Sequence, residues 1–199
     1  MQHPLRKLLQ RIRFIFLIAI VTAVVTGAVS LLFPLEYRAD AEVLVIPKTR
    51  FGVDPYTVAK SAERVAEGIA GVIPTNDFYR QVITNSNYAV DAQAFKRETE
   101  IEQRRAWEKT IIPTVIFGSG IVRVSAYSVS REQAGVLAGA VVDTIVAKGN
   151  EYTGADVVMK VVNPPVITNW PVRPNIPTNI ALGFLLGAVV SGIWVVRRT

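Results

Sequence analysis

Two runs of this chain carry no charge at all: Phe14–Phe33, twenty residues, and Ile180–Val196, seventeen. As α-helices they would be about 30 and 26 Å long, against a hydrocarbon core about 30 Å thick. A cleaved signal peptide would have a shorter apolar stretch, roughly 7–15 residues, so the first run is expected to be a retained transmembrane helix. The rival for the second is a buried core helix. Arg197 and Arg198 close that run, and a span bounded by cations is the expectation there too.

The net charge of +6 becomes informative once it is located. Arg6, Lys7, Arg11 and Arg13 precede the first run and Arg197 and Arg198 follow the second; those six are the whole excess, because sixteen basic residues between the runs face all sixteen acidic ones. Lys and Arg concentrate on the cytoplasmic side of spans. The pattern predicts a multi-pass protein of the cell (inner) membrane. Residues 1–13 and 197–199 are expected in the cytoplasm, 14–33 and 180–196 as the spans, and 34–179 as a periplasmic or extracellular domain. The basic balance therefore reports topology and not nucleic-acid binding. With no cysteine, disulfide and thiolate chemistry are both absent.

Between the spans, Tyr37–Ile46 alternates polar and apolar residues, as does Ile121–Val129, and each reads as a half-buried strand. Pro55–Val72 reads as an amphipathic helix with Val58, Ala62, Ala66 and Ile69 on one face, and Asn76 is placed to cap a short second helix. Ala92–Thr110 is highly charged and is expected to form a short helical arm. Ser130 and Gln133 have capping-box spacing, Ala134, Leu137, Ala138, Val141 and Ile145 supply a buried helix face, and Gly149 suits its end. Asp156–Val162 returns as an apolar strand, expected to pair in parallel with 121–129, the first strand joining the same sheet. The expected class is α+β: two transmembrane helices flanking one small external α/β domain with a mixed sheet and a short helical arm.

Five prolines fall between Pro164 and Pro177. Pro171, Pro174 and Pro177 are spaced by threes, the repeat of polyproline II, so 164–177 is expected to be a stiff strut with these rings on one side. Trp170 beside it suits the headgroup level. Inside the spans, Ala19, Ala23 and Gly27 recur every four residues, as do Gly183, Gly187 and Ser191. Such small-residue ridges let helix backbones approach closely in lipid, either between the two spans or between subunits.

An active site is hard to assemble from these residues. The only histidine is His3, in the leader, which excludes a His-based triad or metal site in the external domain. Gly118-Ser119-Gly120 lacks the spacing of a nucleophile elbow and reads as a turn before a strand. Lys96, Glu100, Arg104 and Glu108 form an i, i+4 ladder of alternating sign, each pair worth about 0.2–0.5 kcal/mol. It reads as a solvated helix face, or as an ion-pair seam facing another subunit. The expectation is a protein with no enzymatic activity, no cofactor and no metal.

The order of parts resembles the Wzz-type polysaccharide chain-length determinants, or polysaccharide co-polymerases, in a short form without a kinase domain. The likeness rests on the basic leader and first span, the strand YRADAEVLV, the segment VRVSAYSVSREQAGVLAGAVVDTIVAKGNEY, and WPVRPNIP before a glycine-containing second span. It implies a homo-oligomer, ring-like, held in membrane lipids. That scaffold would regulate the length or export of an O-antigen, capsule or exopolysaccharide glycan beside a lipid-linked-glycan polymerase. An adaptor for a separate tyrosine kinase is the alternative within the same resemblance, and a membrane-anchored ligand-binding or sensory domain is the alternative of another class.

Overall fold

The computed structural model describes residues 11–48, 54–85, 88–154 and 156–198; Arg6, Lys7, His3 and Thr199 lie outside them. In chain order the elements are α1 (Ile12–Ser30), β1 (Tyr37–Pro47), α2 (Pro55–Val72), α3 (Asn76–Asn85), a 3-10 turn (Ala92–Phe95), α4 (Glu100–Thr110), β2 (Ile111–Val115), β3 (Ile121–Ser128), α5 (Arg131–Thr153), β4 (Val157–Ile167) and α6 (Ile176–Arg198). The chain divides into two compact units, Met1–Leu35 with Val172–Thr199, and Glu36–Pro171.

The first unit is an antiparallel pair of helices. Both α1 and α6 are long and apolar enough to cross a membrane. Helix α1 ends where Pro34 would deny the next turn its donor. Helix α6 begins with Asn175 Oδ1 accepting the Thr178 backbone N–H at 3.3 Å, and Pro177 occupies its second position, where a missing N–H removes no bond.

That placement overturns the strut. Pro164 and Pro165 lie in β4, and Pro177 lies in the first turn of α6. Pro171, Pro174 and Pro177 therefore do not share one continuous polyproline II segment. The threefold spacing is real, but two of the five rings are spent on a strand and one on a helix start.

The second unit is a four-stranded sheet in the order β2-β3-β1-β4, antiparallel throughout. The mixed sheet expected from the strand–helix–strand unit is corrected here. Strands β3 and β4 do run in the same direction, but β1 lies between them and pairs antiparallel with both. β1 suits the centre because Ala39, Ala41, Val43 and Val45 are all at most 1% exposed. Both outer strands carry proline, Pro113 in β2 and Pro164 and Pro165 in β4. Proline cannot donate to a ladder and belongs at an edge, where it also discourages pairing with another chain. The two prolines of β4 coincide with a register shift against Asp40 and Glu42.

Helices α2 and α5 cover one face of this sheet; on the other face, within this unit's described residues, Arg123, Val158 and Lys160 are exposed. Ser130 Oγ accepts the Gln133 N–H at 3.4 Å to cap α5, whose buried face includes Ala134, Leu137, Ala138, Val141 and Ile145. The helix runs past Gly149 to Thr153 and stops at Gly154, whose φ of 59° is the left-handed conformation that glycine tolerates. Gly149 is instead a close-approach site: a Cβ there would lie within 2.7 Å of Met159 Cε. The cap of α3 is Thr75, whose Oγ1 accepts the Phe78 N–H at 3.3 Å, one residue before the expected Asn76.

The charged arm is also corrected. Residues 92–110 form two pieces, the 3-10 turn and α4, interrupted where Lys96 takes an extended conformation. Trp107 is fully buried, its Nε1–H donating to the Ile73 carbonyl at 2.8 Å. Its ring meets Tyr79 and Phe95 edge-on at centroid distances of 5.3 and 5.4 Å. One aromatic side chain docks α4 on the core, so this segment is not a projecting arm.

Candidate functional site

The helix pair joins the two small-residue ridges face to face. Ala19, Ala23, Gly27, Gly183, Gly187 and Ser191 are all buried. A Cβ placed on Gly187 would lie 2.9 Å from Ala19 Cα, and one on Gly27 would lie 3.0 Å from Ile180 Cγ1. The ridges therefore serve contact between the two helices of one chain. The structure also brings in residues that the four-residue spacing did not single out. Thr22 Oγ1 donates across to the Gly183 carbonyl at 2.9 Å, and Asn179 Nδ2 donates to Ser30 Oγ at 2.8 Å. Within the helices Thr26 Oγ1 donates to the Thr22 carbonyl at 3.0 Å and Ser191 Oγ to the Gly187 carbonyl at 2.6 Å. Each hydroxyl is thus satisfied without water, as an apolar surrounding requires. Thr22 and Thr26, one turn apart beside the small residues, were the available signal. The pair is completed by aromatic contacts of Phe14 with Trp194 and Phe16 with Phe184, at 5.6 and 5.4 Å.

In the second unit the ladder Lys96, Glu100, Arg104, Glu108 does not form as a run. Lys96 lies outside α4, and Glu100 Oε1 instead accepts from Arg80 Nη2 at 2.7 Å. Only Arg104 and Glu108 remain together, at 3.6 Å and both about half exposed. Exposed pairs of this kind contribute at most about 1 kcal/mol.

A more ordered charge network crosses the sheet face opposite α2 and α5. Glu42 on β1 accepts from Arg123 on β3 at 2.8 Å and from Asn163 Nδ2 on β4 at 2.6 Å. Beside it Ser125 Oγ donates to Asp40 at 2.6 Å, and Arg38 Nε lies 3.0 Å from the same carboxylate. On the covered side, Glu63 of α2 is 8% exposed, accepts from Lys60 at 2.6 Å, and holds the β2–β3 turn through the Gly118 N–H at 3.2 Å. Arg123, and secondarily Asn163, hold the Glu42 carboxyl below its ordinary value of 4.5 against the opposing effect of desolvation. Lys60, then the Gly118 N–H, do the same for Glu63.

Both glutamates therefore bind protons less readily when folded. Their contribution is present above the unfolded value near 4.5 and is lost as pH falls through the lower folded value. Unfolding measured on the full chain in detergent should show stability declining on the acid side of that value. An E42Q/E63Q variant should be less stable at pH 7 and show a shallower decline. An unchanged slope would mean these bonds do not persist in solution.

A cleft of about 400 Å³ in this unit is lined by described residues, where Asp91, Arg97, Ser128, Ser130 and Gln133 meet Phe95 and Leu137. Its polar groups are engaged in local structure. Gln133 Nε2 donates to the Ala89 carbonyl and its Oε1 accepts the Asp91 N–H, both at 3.3 Å, while Arg97 donates to the Lys96 carbonyl at 2.8 Å. Gln133, expected to close a capping box, thus reaches out to pin the segment before the 3-10 turn. Similar clamps hold helix α5: Tyr152 donates to Asp77 at 2.6 Å, and Tyr88 is hydrogen-bonded to Asp143. Among the described residues no group of His, Cys, Asp and Glu is arranged to hold a metal. Compared with protein-family models and with curated proteins, the sequence matches none.

Proposed function

We propose that the chain is a non-enzymatic, two-span membrane scaffold that assembles with copies of itself and regulates the chain length or export of a cell-surface polysaccharide. The observation that carries the membrane part is the pairing of α1 and α6, from opposite ends of the sequence, whose only charged residues are arginines at one end of each helix. Their polar atoms are satisfied internally and their large apolar side chains point outward, with Leu17, Val24, Leu186 and Val190 all more than half exposed. In water such a surface would be a liability; in lipid it is the expected exterior. The glycan part rests on the resemblance of the ordered segments to the chain-length determinants. The small-residue ridges are consumed inside each hairpin. Assembly would accordingly use the outward faces of the helices or the sheet face opposite α2 and α5, and not those ridges.

Two measurements test this reading. In intact cells or spheroplasts, a cysteine replacing Val129, which is 61% exposed, should react with an impermeant thiol reagent, and one replacing Thr199 should not; equal labelling would overturn the orientation. Removing the gene from its host should broaden or shift the length distribution of a surface glycan resolved on a gel, with restoration by the intact chain. A distribution identical with and without the protein would overturn the glycan role and leave the membrane reading standing.

A further inference from the structure

The helix-pair unit contains no acidic residue anywhere in Met1–Leu35 or Val172–Thr199. No Asp or Glu side chain of that unit is therefore available to Arg11, Arg13 or Arg197. All three are exposed and lie at one end of the pair, which the Phe14–Trp194 contact identifies. Two apolar grooves start from that end. One, about 520 Å³, runs along α1 from Arg13 past Phe16 and Leu17 to Val21. The other, about 320 Å³, runs along α6 from Arg197 past Trp194 and Ile193 to Val190. Each apolar bed extends about 10–12 Å from its arginine at 1.5 Å per residue, within the roughly 15 Å depth of one leaflet's hydrocarbon.

Both grooves thus have the same construction: a guanidinium at the mouth and an acyl-sized apolar bed leading inward. From this we infer that the pair binds anionic phospholipid in the leaflet at the Arg13–Arg197 end, phosphate on the guanidinium and acyl chain along the groove. The planar fork of arginine matches phosphate oxygens in pairs, and an anionic headgroup supplies the counter-charge that the unit itself lacks. The occupant is a lipid and not free phosphate, because most of each groove's lining is apolar and a soluble anion would leave it uncovered.

The inference rests on the membrane reading of α1 and α6, and the test separates the two. The full chain, with Trp170 changed to Phe, is reconstituted into phosphatidylcholine vesicles containing a minority of phosphatidylglycerol. Brominated acyl chains are placed on one lipid or the other, and quenching of Trp194 is read over the emission of Trp107, which is fully buried. Brominated phosphatidylglycerol should quench more than brominated phosphatidylcholine at equal mole fraction. An R13Q/R197Q variant should lose that preference, by about fivefold per arginine removed, from about 1 kcal/mol for each basic residue near an anionic surface. R173Q, in the segment that precedes the far end of α6, should keep it, and soluble glycerol phosphate should not compete. Equal quenching by the two lipids, or a preference that survives R13Q/R197Q, would overturn the inference alone. A chain that fails to float with the vesicles would overturn the membrane reading and this inference with it.

Discussion

Replacing Gly187 with Leu should drive the two membrane-length helices apart. A Cβ at that position already lies 2.9 Å from Ala19 Cα and still closer to Thr22 Oγ1, and Leu adds three more carbons where backbone faces backbone. Neither helix can yield locally, because the obstructing atoms are main chain and a hydroxyl already bonded to Gly183. Overpacking a close contact costs about 1–3 kcal/mol, and separation also forfeits the dispersion contacts that hold helices together in lipid. The absence of cysteine makes the measurement direct. With cysteines at Phe14 and Trp194, whose rings are in contact, a short bifunctional reagent should join α1 to α6 efficiently. Adding G187L to that background should reduce joining about tenfold or more, as 1.4 kcal/mol is a factor of ten. Replacing Val189, which is 58% exposed, with Leu should change nothing. Undiminished joining in G187L would show that the ridges do not make the contact.

The second large effect is expected at Trp107. Truncating it to Ala removes a fully buried indole, opens a cavity between Tyr79 and Phe95, and leaves the Ile73 carbonyl without its donor. Cavity formation at a buried aromatic costs about 3–5 kcal/mol, and an orphaned buried carbonyl adds about 1–3 kcal/mol. Against a typical domain stability of about 5–15 kcal/mol, the Glu36–Pro171 unit should become marginal. Denaturant unfolding of the full chain in detergent, followed by far-UV circular dichroism, should show an early transition in W107A. W107F should be intermediate, since it keeps part of the ring packing while losing the N–H and the rest of the indole volume. Truncating Ile101 on the same helix, 59% exposed, should have almost no effect. If W107A matched the parent, α4 would not be anchored as described.

These two residues differ in how visible they were beforehand. Gly187 belonged to a four-residue repeat, and a repeat on a helix specifies a face without knowledge of the rest of the chain. Trp107 sat in a segment dominated by Glu, Arg and Lys, where one aromatic gives no periodicity. Its importance comes from Ile73, Tyr79 and Phe95, and the most distant of these is thirty-four residues away. The same distinction explains the ladder. Spacing placed Lys96, Glu100, Arg104 and Glu108 on one helix face only if the helix was continuous. It is interrupted at Lys96, and the nearest cation to Glu100 came from another helix.

Legible in the residues alone were the two membrane-length helices, the strands β1 and β3, the cap and buried face of α5, and the excess of basic residues at the chain's ends. Each of these is encoded locally, by hydrophobic period, by uncharged length, or by a capping residue beside the helix it starts. Only the tertiary structure decided that β1 separates β3 from β4, because that choice depends on which strands can be hydrogen-bonded on both sides. It also decided that Glu42 is shared by Arg123 and Asn163, and that the small-residue ridges meet within one chain. The proline run shows the boundary most clearly. Its spacing was legible, yet Pro164 and Pro165 joined a strand edge and Pro177 a helix start, since a ring that fixes φ and lacks a donor is compatible with all of these. Which of them it adopts is set by the neighbouring strand and helix.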